Sequence, residues 1–224
     1  MDGGGWDCPR WRDLGFGLAV FILGVSIISG SPASAIDVDL TMDQAKEALA
    51  AGRVPMQKAT SVEEVKVIMQ QASTRTRVGA DPKKDPCGAS AVLRTKRFWL
   101  EAFGRKEATE SKRQKKEIRM PDDKIKKYIN MPNLEMEIQL CGDDEYFADR
   151  VEVALRQGSK RIQPLDVSPA QKGRKNEGKG PAYRTRFTAL FAYDSFDPKA
   201  MTKVEVFFPD GRLDVFDADF SKIR

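Results

Sequence analysis

Between Thr41 and Ala72 apolar residues recur at helical spacing. Met42, Ala45, Ala48 and Leu49 share one face of a short helix expected to end near Gly52, and Val62, Val65, Ile68, Met69 and Ala72 repeat the pattern. Each stretch opens on a capping box, Thr41 with Gln44 and Ser61 with Glu64, whose side chains satisfy each other's backbone N–H groups. Both stripes are read as core-facing. Residues 73–90, with Gly79, Pro82 and Pro86, read as a loop, and Ala91 to Leu93 as a short strand. Phe98, Trp99, Ala102 and Phe103 then form an aromatic cluster read as core. Residues 105–127 are helical in pattern but almost without apolar positions between Ala108 and Ile118, which predicts solvent exposure. Pro121 can open a further helix, with Ile125, Tyr128 and Ile129 on one side.

From Pro132 the period becomes two. Leu134, Met136, Ile138 and Leu140 alternate with polar residues, as do Val151, Val153 and Leu155. Tyr183, Thr185, Phe187, Ala189, Phe191 and Tyr193 fall on one face of a long strand, and Val204, Val206 and Phe208 begin another. Gly158-Ser159 and Pro209-Asp210-Gly211 read as turns. Residues 166–182 interrupt the pattern with a Lys/Gly-rich insert read as a mobile loop. The predicted class is α+β: a short helical N-terminal region, residues 36–131, followed by an all-β immunoglobulin-like sandwich, residues 132–224.

Residues 1–35 have the order of a secretory signal. Arg10 and Arg12 precede an apolar core at residues 14–28, a Ser-Gly-Ser-Pro break follows, and Ala33-Ser34-Ala35 places cleavage before Ile36. The same segment is about long enough to act as a retained membrane anchor, and either way residues 36 onward lie outside the cytoplasm, in the periplasm or beyond the cell. Cleavage leaves Cys87 and Cys141, which in an exported chain are expected to form one disulfide. No C-x-x-C is present, so a thioredoxin-like role has no support.

The 224 residues include no histidine. That removes Ser-His-Asp and Cys-His catalysis and every histidine-ligated metal site. G-x-S-x-G, S-x-x-K, Walker and G-x-G-x-x-G patterns are also absent, so no catalytic or cofactor-binding residue is nominated. Asp143, Asp144 and Glu145, or Asp214, Asp217 and Asp219, could offer oxygens to calcium, but neither set has the spacing of a known loop and no metal site is assigned.

The formal charge of +5 is concentrated in segments. Lys112, Arg113, Lys115 and Lys116, followed by Lys124, Lys126 and Lys127, form the nominated surface for an anionic partner; Lys172, Arg174, Lys175 and Lys179 form a second concentration. Export argues against nucleic acid as the partner. The leading reading is a non-enzymatic envelope protein with a binding or scaffolding role toward another envelope protein or an anionic surface. The alternative is a carboxylate-dependent hydrolase of envelope polymers, which requires two carboxylates facing each other in a cleft. Membrane contact would come only from an uncleaved N-terminal segment or from surface attraction.

Overall fold

The computed structural model describes residues 36–176 and 180–223. The proposed signal segment, residues 1–35, and residues 177–179 of the insert lie outside them. The element order is α1 (Met42–Lys58), α2 (Val62–Arg75), β1 (Arg77–Gly79), β2 (Ser90–Arg94), α3 (Lys96–Gln114), α4 (Asp122–Ile129), β3 (Asn133–Gly142), β4 (Glu152–Gln157), β5 (Lys160–Ile162), β6 (Asp166–Val167), β7 (Arg174–Lys175), β8 (Tyr183–Ala192), β9 (Met201–Phe207) and β10 (Leu213–Asp219). Among the described residues the fold is mixed α+β, with four α-helices and two antiparallel sheets. No helix among the described residues is long and apolar enough to cross a membrane.

The first sheet runs β1-β2-β3-β8-β6, with β7 also pairing with β8. The second runs β10-β9-β4-β5. Alternation decides which face each strand buries. In the first sheet Ala91 and Leu93 align with Ile138 and Met136, which align in turn with Phe187 and Ala189. In the second, Val153 and Leu155 align with Val206 and Val204, and Phe216 lies opposite Val204. All of these side chains are buried in one apolar cluster, so the two sheets share a core. The turns at Gly158 and Gly211 hold positive φ, +58° and +86°, where glycine avoids the Cβ penalty.

Several sequence expectations are corrected. Strands β1 and β2 come from the N-terminal side of residue 132, so the first sheet begins in a stretch read as loop. Helix α1 does not stop near Gly52 but continues through Pro55 to Lys58. Gly52 is there for close packing: a Cβ at that position would sit 2.0 Å from the Glu101 carbonyl oxygen of α3. Gly104 is its counterpart, where a Cβ would sit 2.0 Å from the Leu49 carbonyl oxygen. Helix α2 has both capping-box bonds but buries only Ala72; Val62 and Met69 are more than half exposed. Trp99 is half-buried, and Leu100 fills the helical core instead. Helix α3 carries buried Arg105 and Glu107 within the stretch expected to be exposed. The insert is not wholly loop, because β6 and β7 lie along β8.

Candidate anion-binding surfaces

The nominated residues fall on both sides of the turn between α3 and α4. Lys112 and Arg113 end α3, Lys115 is its left-handed C-cap, and Lys124, Lys126 and Lys127 lie on α4. Sequence explains this placement: α3 runs out of apolar positions after Ala108, and α4 buries only Ile125, so its lysines face water. The turn is latched. Buried Glu107 accepts from the Arg53 guanidinium at 2.6 Å and from the Met120 N–H at 2.5 Å, and Ser111 Oγ accepts from the Ile118 N–H at 2.9 Å.

The seven cations do not form one site. Lys112, Lys115, Lys116 and Arg119 line one hollow of about 430 Å³. Lys124 and Lys127 join Lys106 and Arg119 at a second, of about 490 Å³, floored by Phe103, Met120 and Tyr128. Lys126 and Arg113 line neither. Arg113 pairs with Glu110 at 2.5 Å, and Lys112 donates to the Ala59 carbonyl at 2.6 Å. The remaining five lysines are exposed.

A denser cationic site lies on the outer face of the first sheet. Lys172, Arg174, Lys175, Arg184 and Arg186 line a cleft of about 430 Å³, with Glu137 as the one carboxylate among the described residues that line it. Strand alternation places it: Thr185 and Phe187 of β8 point into the core, so Arg184 and Arg186 point out. Strand β7 sets Arg174 directly opposite Arg184. Glu137 is shared, accepting from Arg94 and, at 3.5 Å, from Arg186, while Lys172 pairs with Glu145 at 2.8 Å. Among the described residues Arg174 and Lys175 form no ion pair. Half-buried Arg77 donates to Ser90 Oγ at 2.9 Å; burial lowers its pKa, and the nearby charge of Arg186 adds to that.

The cleft wall is tied to the disulfide. Cys87 and Cys141 are paired, with Cα atoms 5.3 Å apart, and Cys141 lies opposite Arg184 across the β3–β8 ladder. Asn176 donates to Cys87 Sγ at 3.1 Å, and its Oδ1 accepts from Arg184 Nη2 at 2.7 Å. One side chain therefore bridges the covalent staple and a cleft arginine.

The buried carboxylates have structural partners. Glu205 accepts from Arg156 and Arg161 at 2.5 and 2.9 Å. Burial raises the Glu101 carboxyl, but its charged neighbours are Arg75 at 3.7 Å and Arg105 at 3.9 Å rather than a second acid. Among the described residues no group of three or more Cys, Asp or Glu gathers where it could hold a metal ion. Of the two acidic sets, Glu145 is engaged by Lys172, Asp217 by Lys203 at 3.8 Å, and Asp219 by Lys222 at 2.8 Å.

Sequence reading found Lys172, Arg174 and Lys175 but missed Arg184 and Arg186. The available signal was the strand period: if Tyr183, Thr185 and Phe187 share the core face, the two arginines between them share the other.

No protein-family model and no curated protein sequence matches the chain. Among solved structures it is similar to the archaellum periplasmic stator protein FlaG from Sulfolobus acidocaldarius, over 39% of this chain and 86% of that one, at 7% identity and a TM-score of 0.25. A likeness that slight carries no argument.

Proposed function

We propose that this is an exported, non-enzymatic cell-envelope protein that binds an anionic partner. The observation that carries the reading is the excess of exposed cations over the carboxylates interleaved with them, around the α3–α4 turn and on the outer face of the first sheet. Grouped cations raise the local concentration of anions and strengthen encounter at low salt. The Cys87–Cys141 disulfide supports an oxidising destination, which fits cleavage before Ile36. The two antiparallel sheets with a shared core support an immunoglobulin-like arrangement, a scaffold that leaves its outer faces free for contact. The hydrolase alternative draws no support from Glu101, the one raised carboxyl among the described residues, because arginines surround it.

The test is retention of the purified mature protein on heparin and on phosphatidylglycerol vesicles across a salt series. The reading requires retention on at least one, falling steeply with salt. Absence of retention on both at low salt, and of binding to any soluble polyanion, would overturn it.

A further inference from the structure

We infer that the cleft over β7 and β8, on the outer face of the first sheet, is a binding site for the phosphate groups of a soluble phosphate-bearing anion, with Arg174, Arg184 and Arg186 as its recognition residues. This inference rests on the anionic-partner reading and deepens it by naming the site and the ligand class.

The strongest observation is a local conflict. Residues directly opposite each other across an antiparallel ladder bring their side chains together, and like charges there oppose pairing. Arg174 faces Arg184 in that position, on a β7 strand of two residues held to β8 by flanking bonds, among them the Asn176 N–H to the Ala182 carbonyl at 2.8 Å. Arg186 and Arg77 crowd a third and fourth guanidinium onto the same face. Among the described residues Glu137 and Glu145 compensate only part of this charge, and Glu137 is already divided between Arg94 and Arg186. Places where local rules are broken without internal compensation are where function is expected. A bound dianion would remove the conflict, since each guanidinium presents a planar fork of donors suited to two oxygens of one phosphate.

Position and support agree with this. The cleft is recessed into the outer face of the sheet over the paired strands β7 and β8, so a phosphate on a free molecule or flexible chain can enter more readily than the plane of a bilayer. Asn176 fixes Arg184 from behind and is itself anchored on the disulfide sulfur. A lysine-rich surface whose only role was solubility would not need such supporting bonds. In the hollows beside α3 and α4, Lys112 donates to the Ala59 carbonyl, while Lys115, Lys116, Lys124 and Lys127 are exposed as on a solvated helix surface.

The experiment uses the oxidised mature protein, inorganic polyphosphate as probe and phosphatidylglycerol vesicles as the lipid comparison. Three proteins are compared: wild type, R174E/R184E, and K112E/R113E/K115E/K116E. Wild type should bind polyphosphate. R174E/R184E should bind about a hundredfold or more weakly, roughly tenfold for each guanidinium–phosphate interaction removed. The quadruple variant should lose less affinity than R174E/R184E, and only through the weaker long-range field, so that its loss fades as salt rises. A second signature separates a binding role from a structural one. Without ligand, R174S should melt at or above the wild-type temperature, because a repulsive pair has been removed, while polyphosphate should stabilise it less than wild type. Polyphosphate binding undiminished in R174E/R184E but abolished in the quadruple variant would overturn the site and leave the anionic-partner reading standing. Binding to vesicles without binding to polyphosphate would overturn the ligand class. Binding to none of polyphosphate, heparin or vesicles would overturn both.

Discussion

The packing of α1 against α3 gives a prediction whose sign depends on the structure. Gly104 lies inside α3, where replacement by alanine ordinarily stabilises a helix by about 0.5–1 kcal/mol. Here the added Cβ would lie 2.0 Å from the Leu49 carbonyl oxygen and 3.0 Å from the Arg53 nitrogen, both backbone atoms of α1. Backbone cannot rotate away as a side chain can, so the helices must separate by more than an ångström. Leu49, Ala45, Ala48 and Leu100 occupy the small core between them and would be drawn apart. Overpacking of this kind costs about 1–3 kcal/mol, at the upper end when backbone must move. The net expectation for Gly104→Ala is a loss of about 1–2 kcal/mol, read in urea unfolding as a lower midpoint at unchanged slope. Gly52→Ala should behave alike, and the double variant should lose less than the sum, because one separation relieves both clashes. A rise in midpoint for Gly104→Ala would refute the close approach and with it the packing of α1 on α3.

Other outcomes follow from the same structure. Replacing both Cys87 and Cys141 by serine opens a loop of 54 residues and should cost about 4 kcal/mol on the chain-entropy account; a loss under about 1 kcal/mol would contradict it. Burial alone would raise the Glu205 carboxyl, but Arg156 and Arg161 outweigh it and hold the pKa below the ordinary value of 4.5. Its stabilisation is therefore complete above pH 4.5 and is lost as pH falls through the lower, folded-state value. Glu205→Gln should be less stable than wild type at pH 7, with a gap that narrows below pH 4.5; a pH-independent gap would exclude the linkage. Intact mass of the protein from fractionated cells should show a chain starting at Ile36 whose thiols alkylate only after reduction, whereas a full-length species in the membrane fraction would establish a retained anchor.

Much of the fold was legible because strands with one buried face announce themselves by alternation. Leu134 to Leu140 and Tyr183 to Tyr193 gave the two central strands of the first sheet from period alone. The capping boxes at Thr41 and Ser61 marked both helix starts. What was illegible depends on partners far along the chain. Gly52 looks like a helix terminator until α3 is placed against it. Three residues at Arg77–Gly79 carry too little pattern to read as a strand, and only pairing with β2 makes them one. The cationic cleft was half visible for a similar reason. Lys172, Arg174 and Lys175 are neighbours in sequence, but Arg184 and Arg186 join them only when β7 folds back on β8. The nominated cations from Lys112 to Lys127 were conspicuous as a run, yet helix geometry distributes them over two hollows and the surface between.

The most direct test of the central claim is the salt dependence of polyphosphate binding by the mature protein, followed by calorimetry in wild type and in Arg184→Ala. Wild type should lose affinity steeply as salt rises, and the variant should bind more weakly with a slope shallower by about 0.7, the difference expected for one phosphate neutralised fewer. Affinity indifferent to salt, or a variant with wild-type affinity and slope, would contradict an anion-binding role for this cleft.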